Sequence, residues 1–241
     1  MTTPDLRGRI ILLTGATGGL GRALSVAIAQ AGGHGVLMGR SQDKLGKLDD
    51  KVRAAGGSAT LIPADLSLPG TVEELTTALA GRFGKLDAVI GNAAWLGQLE
   101  PVSTADAKTW RKSMAINLIA NQRLMAACDP LLRAADAPRA VFVTCGIADT
   151  HKPYWAPYAT AKKALEHLAL TYAGEAANGG VHVNIFDPGP MDTPLRRQAF
   201  PGEAKATQPP PEKAAAALLP MVSAAWRETA KIERFQPEAA A

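Results

Sequence analysis

Two residues, Tyr158 and Lys162, have the types and the spacing needed for proton transfer near neutral pH. Four residues on a helix place a lysine on the same face as a tyrosine. A free phenol has a pKa of about 10, and a neighbouring ammonium favours its ionised form. We therefore expect Lys162 to lower the pKa of Tyr158, so that the phenol can act as an acid and a base. By itself the pattern is weak, because most such pairs on helices are simply solvated.

A glycine-rich turn lies far upstream, in the segment Thr14-Gly-Ala-Thr-Gly-Gly-Leu-Gly21. It follows an apolar stretch and precedes a helical one, so its N–H groups could bind a pyrophosphate at the helix N-terminus. The spacing fits both Gly-x-x-x-Gly-x-Gly and Gly-x-x-Gly-x-x-Gly. The turn favours dinucleotide binding over an ordinary chain reversal. The candidate binding residues are Gly15, Thr17, Gly18, Gly19, Leu20 and Gly21.

The end of the second apolar stretch, Met38-Gly39-Arg40-Ser41, bears on the choice of dinucleotide. Cofactors with a free ribose 2′-hydroxyl are usually held by an acid near this point, and this segment has none. Arg40 could instead pair with a 2′-phosphate, and Ser41 could add a hydroxyl donor. Arg40 could also be an ordinary surface charge, and Ser41 could cap the next helix. The segment favours NADP over NAD.

Short apolar stretches alternate with longer amphipathic ones along the chain. Strands that are apolar throughout, each followed by a helix, are typical of a parallel sheet covered on both faces. No repeat or long linker divides the sequence, so we expect residues 1–241 to form a single doubly wound α/β domain with six to seven strands. The predicted strands are 10–13, 35–38, 59–62, 88–91, 140–144 and 181–186. The predicted helices are 20–31, 43–55, 71–83, 105–135 and 158–177.

The composition excludes several classes of protein. Hydrophobic residues make up 47% and charged residues 20%, which is typical of a globular chain. The net charge is only +4 and the basic residues are scattered, so we expect no nucleic-acid partner. No apolar run approaches the ~20 residues of a membrane span, and the first residues lack the apolar core of a signal peptide. We therefore expect a cytoplasmic protein without a membrane partner. Cys128 and Cys145 lie outside metal-ligand spacings, so we expect no metal site.

The motifs together resemble those of the short-chain dehydrogenase/reductase family. The glycine turn, Asn92-Ala93-Ala94, the Tyr158 and Lys162 pair and Pro188-Gly189 occur in the family's order, over roughly residues 8 to 195. The resemblance is to the compact, Rossmann-like subgroup, and the region from Thr193 to Pro201 is similar to a poorly characterised bacterial branch. It implies an oxidoreductase that transfers hydride between NADP(H) and a carbonyl or alcohol, with Tyr158 as acid and base.

The resemblance also assigns contacts with the adenosine half of the cofactor. Asp65 and Leu66, after the third strand, correspond to an acid–aliphatic pair that holds the adenine. Asn92, Ala93 and Ala94 correspond to a turn beside the adenine ribose, in which Ala94 replaces the usual glycine. Alone, Asp65 could equally be a helix cap or another satisfied polar group.

The remaining assignments concern the nicotinamide and the proton. The resemblance implies that the backbone at Pro188 and Gly189, together with Thr193, holds the nicotinamide amide. Lys162 would also hold the ribose. Asn117 corresponds to a helix asparagine that anchors a water molecule, which relays protons to Lys162.

Cys145 departs from the family pattern. Family members usually have a serine at this position, thirteen residues before the tyrosine, and its hydroxyl donates a hydrogen bond to the substrate oxygen. A thiol is a weaker donor, and losing one such donor can cost ~10²–10³ in rate. Thr144 is a poor substitute, because neighbouring strand residues point to opposite faces. Three alternatives stay open: a tolerable donor in a slow or specialised enzyme, a small apolar residue in an NADP-binding regulatory or structural module with weakened catalysis, and, least favoured, a nucleophile with His151.

The substrate and the assembly are less constrained by the sequence. Apolar and aromatic residues are expected around the nicotinamide, which favours a hydrophobic substrate. We expect a mobile lid at 192–211 and a short last strand at 230–235. Because family tetramers often join through that edge, a homo-dimer or homo-tetramer is expected. The predicted substrate-side residues are Trp95, Ile147, Tyr154, Trp155, Pro190, Leu195 and Phe200.

Overall fold

Seven strands form one parallel sheet in the computed structural model, which describes residues 3–204 and 207–236 of the chain. The strands are β1 (Ile10–Thr14), β2 (His34–Gly39), β3 (Ala59–Pro63), β4 (Ala88–Gly91), β5 (Arg139–Val143), β6 (His182–Asp187) and β7 (Ile232–Arg234). Their order across the sheet is β3-β2-β1-β4-β5-β6-β7, and every neighbouring pair is parallel. The predicted doubly wound α/β fold is confirmed.

Helices cover both faces of this sheet. They are α1 (Gly19–Gln30), α2 (Gln42–Ala54), α3 (Thr71–Phe83), α4 (Ala107–Met114), α5 (Ala120–Arg133), α6 (Ala156–Ala176), α7 (Pro194–Ala199) and α8 (Pro211–Leu218). Ile11 and Leu13 of β1 pack in one apolar layer with α1, α2 and α8, while Leu12 packs in the other with α3, α5 and α6. Burial of each such side chain contributes about 1.5–3 kcal/mol, so the continuous apolar strands in the sequence follow from a sheet buried on both faces.

The order of the strands reverses at β1, and this reversal positions the site. Leu12 pairs with Val36 of β2 on one side and with Val89 of β4 on the other. Connections on the two sides of such a point leave in opposite directions, which opens a crevice at the carboxyl ends of the strands. The glycine turn after β1 and the Asn92 turn after β4 therefore lie side by side.

The long helix predicted over 105–135 is interrupted in the structure. It consists of α4, a π-turn at Ala115–Ile119 and α5. The Asp106 carboxylate accepts a hydrogen bond from the backbone N–H of Thr109 and caps the start of α4. A π-turn contains an extra residue per turn and commonly marks a functional position. In this chain it contains Asn117.

The C-terminal part of the described chain completes the sheet. The predicted last strand at 230–235 contains β7, which pairs with β6 through Ile185 and Ile232. The predicted lid at 192–211 contains α7 and ends at the first residue of α8. Residues 205 and 206 of this segment lie outside the described residues. Within the described ranges, no helix combines the length and the apolar character needed to cross a membrane.

We predict that Gly21→Ala destabilises the protein, because a methyl group there would overlap the Gly15 carbonyl oxygen and lie 2.8 Å from the Ala16 Cα atom. Backbone must then move, so we expect the free energy of unfolding to fall by about 1–3 kcal/mol. Gly174→Ala is a matched control in α6, since its methyl group meets no atom within 4 Å. The control should gain about 0–1 kcal/mol. Urea unfolding followed by circular dichroism measures both, and equal losses would contradict the prediction.

Candidate active site

A cavity of about 990 Å³ opens at the carboxyl ends of the strands, in the crevice at β1 and β4. This volume is at the upper end of the range of about 300–1,000 Å³ found for ligand pockets. All of the predicted catalytic and cofactor-binding residues line it except Ser41 and Asn117. Those that line it are Gly15, Thr17, Gly18, Gly19, Leu20, Gly21, Arg40, Asp65, Leu66, Asn92, Ala93, Ala94, Cys145, Tyr158, Lys162, Pro188, Gly189 and Thr193.

The glycine turn is packed directly on the turn after β4. Gly15 has a φ angle of +65°, and a Cβ atom there would lie 2.8 Å from the Cα atom of Ala93. The Asn92 side-chain amide donates hydrogen bonds to the carbonyl oxygens of Thr14 (3.0 Å) and Gly15 (3.2 Å). The Thr14 hydroxyl oxygen accepts bonds from the backbone N–H groups of Asn92 and Ala93, each at 3.1 Å. Asn92 thus supports the shape of the glycine turn.

The start of α1 fits an anionic group. Its cap is Gly18, which contributes no side-chain hydrogen bond, and its first turn contains no acid. The free N–H groups and the positive end of the helix dipole therefore face the cavity without a competing carboxylate. A Cβ atom on Gly19 would overlap the side chain of Thr193, so the turn also contacts the start of α7. These residues fit the pyrophosphate of a dinucleotide.

The end of the cavity at β2 is basic. Arg40 is exposed and lines it, whereas Ser41 accepts a hydrogen bond from the Lys44 N–H (3.3 Å) and caps α2. The Ser41 cap is the alternative that the sequence left open, and the hydroxyl is not part of the cavity lining. Arg22 and Lys44 also line the cavity and are not among the residues predicted from the sequence. Their positions in the first turns of α1 and α2 are the signal that could have identified them.

Asp65 lies at the same end, after β3. Its carboxylate accepts hydrogen bonds from the N–H (2.9 Å) and the hydroxyl (2.7 Å) of Ser67. Burial acts to raise the pKa of Asp65, but the Ser67 bonds and the charges of Arg40 and Lys112 outweigh it and lower the pKa. The carboxylate therefore stays ionised within the field of Arg40. Its predicted contact with adenine stays a prediction.

Tyr158 and Lys162 lie on the cavity face of α6. Both are buried, with 5% and 1% of their surface exposed. The Lys162 ammonium donates a hydrogen bond to the Val143 carbonyl oxygen at 2.7 Å, and it lies 5.9 Å from the centre of the Tyr158 ring. The helix spacing in the sequence thus brings the phenol and the ammonium to one wall of the cavity.

The pKa of Tyr158 shifts in the direction opposite to the one expected. Burial is the largest cause, and the neighbouring Cys145 thiol is the next. Both raise this pKa, which lies well above its ordinary value. Burial also lowers the pKa of Lys162 to about 8. The expected net fall in the Tyr158 pKa is wrong for this structure, because burial of the phenol outweighs any contribution of Lys162, whose ammonium bonds to the Val143 carbonyl.

Asn117 is fully buried in the π-turn and does not line the cavity. Its side-chain oxygen accepts a bond from the Trp95 N–H, and its amide donates to the Trp95 carbonyl, each at 2.9 Å. The amide also donates to the Ser113 hydroxyl at 3.0 Å. Asn117 therefore fixes the segment after the Asn92 turn, and its role in a proton relay stays a prediction.

Cys145 is half-buried at the end of β5 and lines the cavity. Burial raises the pKa of its thiol, which disfavours the thiolate that a nucleophile needs. The hydroxyl of Thr144 donates to the Glu166 carboxylate at 2.7 Å, so it is not directed at a substrate. His151 is exposed on the following loop. The arrangement supports Cys145 as a weak donor and not as a nucleophile.

An apolar cluster adjoins the phenol. Leu96, Trp155, Tyr158 and Ala199 form its buried part, and Phe200 packs against it. The ring centres of Trp155 and Tyr158 are 6.1 Å apart, and those of Trp155 and Phe200 are 5.7 Å apart. Of the predicted substrate-side residues, only Tyr154 does not line the cavity, and it is 55% exposed. Those that line it are Trp95, Ile147, Trp155, Pro190, Leu195 and Phe200.

The segment that contains α7 covers this apolar end. Gln198 donates a hydrogen bond to the Gly97 carbonyl at 2.9 Å, which joins α7 to the segment after β4. Arg196 binds Glu203 through two hydrogen bonds of 2.8 and 2.7 Å.

Over residues 3–204 and 207–236, no group of three or more His, Cys, Asp or Glu side chains could hold a metal ion.

Comparisons with known proteins agree with this geometry. The family model for short chain dehydrogenase matches residues 9–204. The uncharacterized oxidoreductase YciK of Escherichia coli K12 is 30% identical over 201 residues, which cover 82% of this chain and 79% of YciK. Two short chain dehydrogenase structures, one from Shigella flexneri 2a complexed with NADP and one from Escherichia coli CFT073 complexed with NADPH, superpose with TM-scores of 0.92 and 0.93. Each is 29% identical and covers 98% of this chain and 100% of its own.

We predict that Arg40→Ala weakens the binding of NADPH much more than that of NADH. The loss of a charge-assisted bond to the 2′-phosphate should raise the Kd for NADPH by about 10- to 100-fold. Fluorescence titration measures both cofactors. Arg53→Ala is a matched control, because Arg53 is exposed in α2, binds Asp49 and does not line the cavity. Equal effects of Arg40→Ala on NADPH and NADH would remove the assignment of Arg40.

Proposed function

Since the chain belongs to the short-chain dehydrogenase family, we propose that it transfers hydride between NADP(H) and a carbonyl or alcohol substrate. The oxidoreductase class follows from the family, and NADP agrees with the cofactors held by the two related structures. One observation carries the finer assignment: a buried phenol, Tyr158, lines the same cavity as the glycine turn and the apolar cluster. Bound NADPH would supply the hydride at this point.

Tyr158 would act first as a proton donor in the direction of reduction. The phenol is protonated at neutral pH, so a proton is available for an oxygen that gains negative charge, although its raised pKa makes it a weaker acid than a free tyrosine. When that proton leaves, the Lys162 ammonium one turn along α6 stabilises the phenolate. Because burial lowers the pKa of Lys162 to about 8, this support is present below that pH and is lost above it.

Cys145 would hold the substrate oxygen opposite the phenol. The thiol donates a longer and weaker hydrogen bond than a hydroxyl does. It therefore stabilises the charge on the oxygen less than the usual serine would. The proposed enzyme works with a complete proton donor and a weakened oxygen contact.

The substrate would be a hydrophobic ketone, aldehyde or alcohol. The wall next to Tyr158 consists of Trp155, Leu96 and Ala199, with Phe200 behind Trp155. Such a wall contributes apolar contact and contains few groups that could pair with a strongly polar substrate. The alternative, an NADP-binding module without turnover, is not favoured by these features.

Three expectations from the sequence stay proposals for the whole protein. We infer a single domain over residues 1–241 whose segment 192–211 acts as a lid over the apolar end of the cavity. We also propose a homo-dimer or homo-tetramer, as is typical of the family. A cytoplasmic location is proposed on the sequence alone.

We predict that Tyr158→Phe abolishes turnover while retaining the cofactor. Without the phenolic hydroxyl the proton has no donor, so kcat should fall by at least about 10²-fold. The Kd for NADPH should change by less than about threefold, since the phenylalanine fills the same apolar space. The assay follows NADPH oxidation with a panel of hydrophobic aldehydes and ketones. Turnover by Tyr158→Phe at the wild-type rate would exclude the proposed role.

We predict that Cys145→Ser increases kcat. A hydroxyl is a stronger donor than a thiol, so the gain could reach about 10²-fold with the same substrates. Cys128→Ser serves as the comparison, because Cys128 is buried in the core and does not line the cavity. An inert wild type alongside an active Cys145→Ser would favour the NADP-binding module over the enzyme.

A further inference from the structure

Two successive residues at the end of β5 are each bound by α6. The Val143 carbonyl oxygen accepts a hydrogen bond from the Lys162 ammonium, and the Thr144 hydroxyl donates one to the Glu166 carboxylate. Both bonds are 2.7 Å long. Glu166 lies one helical turn after Lys162, so consecutive turns of α6 hold consecutive residues of the strand. The next residue is Cys145, which lines the cavity together with Tyr158.

Glu166 is a buried acid that the proposed reaction does not use. It is 2% exposed, and each of its carboxylate oxygens has a partner. The first accepts from Thr144, and the second accepts from the Lys163 ammonium at 3.0 Å. A buried carboxylate is costly unless its charge and its lone pairs are satisfied. An uncharged side chain could also accept the hydrogen bond from Thr144. The presence of an acid at position 166 must therefore be explained by the charged groups around it.

The charges around Glu166 come from α6, β6 and β7. Burial lowers the pKa of Lys162, whereas the charges of Cys145 and Glu166 act to raise it. Glu166 also acts to raise the pKa of Asp187 and of Arg234. Lys163 is 57% exposed and binds Asp149 at 2.6 Å, so solvent screens much of its effect. The groups that face Glu166 are Lys162 and Lys163 of α6, Thr144 after β5, Asp187 of β6 and Arg234 of β7.

We propose that Glu166 is a positioning residue of the site: its carboxylate fixes Thr144, and with it the strand end that carries Cys145, and supplies the negative charge that keeps Lys162 an ammonium. The first effect is geometric and the second is electrostatic. The consequence for catalysis rests on the proposed function, because it requires Lys162 to support Tyr158. The ionisation of Lys162 itself does not depend on that function.

Glu166→Gln separates the two effects. The amide oxygen can still accept from Thr144, but the negative charge is lost. The test labels lysine with ¹³C at the ε carbon and follows the Lys162 resonance against pH, with Lys162→Met identifying the signal. The full chain is used without cofactor or substrate. We expect the titration midpoint of Lys162 to fall by about one pH unit or more in Glu166→Gln. An unchanged midpoint would overturn the proposal.

Lys163→Gln is the matched control. It removes one charge from the same group of ion pairs, but a positive one. The Lys162 midpoint should therefore stay the same or rise, opposite to the change in Glu166→Gln. A fall of similar size in both variants would mean that general disturbance of α6 causes it, which would overturn the electrostatic part.

Two further variants keep the test decisive. Glu166→Asp retains the charge at a greater distance, so the midpoint should fall by about half as much. If Glu166→Gln does not fold, this variant decides, and the absence of any fall overturns the proposal. Thr144→Val removes the hydrogen bond and leaves the charge, so the midpoint should stay within about 0.3 pH units of wild type.

Kinetics then connect Glu166 to the reaction. With a ketone that the wild type reduces, the alkaline limb of the kcat profile should move to lower pH in Glu166→Gln by the same amount as the Lys162 midpoint. KM for the ketone should change by less than about twofold, because Glu166 does not line the cavity. A shifted Lys162 midpoint in a protein that reduces nothing would contradict the proposed function and leave the assignment of Glu166 standing. A shifted midpoint with an unmoved kcat profile would contradict its link to catalysis.

Discussion

The hydrogen bond from the Lys162 ammonium to the Val143 carbonyl is the contact on which the site depends. It joins the end of β5 to α6, the helix that carries the phenol. A buried ammonium needs such a fixed acceptor, because water no longer satisfies its charge. The same bond sets how close Tyr158 lies to the strand end, and therefore to Cys145. The helix and the strand end thus form one unit facing the glycine turn.

The fold could be predicted from the sequence because its signals are local. Apolar strands alternating with amphipathic helices specify a parallel sheet, and glycines that accept close backbone contact specify the turn after β1. Features that depend on distant packing could not be predicted. The π-turn around Asn117 has no distinct periodicity, and Arg22 and Lys44 become neighbours of the cavity only once α1 and α2 are in place.

The direction of the Tyr158 pKa shows how burial can outweigh helix spacing. Four residues bring an ammonium near a phenol, but the sequence does not show how much water remains around either group. In the structure both are buried, so each is pushed towards its neutral form. Glu166 opposes that change at Lys162, while Cys145 adds to it at Tyr158. The site therefore holds the phenol protonated, and proton donation during reduction requires Lys162 to stabilise the phenolate that forms.

The transfer of a labelled hydride tests the proposed reaction most directly. The wild-type protein is incubated with NADPH that carries deuterium at the reactive nicotinamide carbon and with a pool of hydrophobic ketones and aldehydes. Mass spectrometry then examines the alcohols that form. We expect deuterium on the carbinol carbon of at least one product, and none when Tyr158 is replaced by phenylalanine. Tight binding of NADPH without label in any product would contradict it.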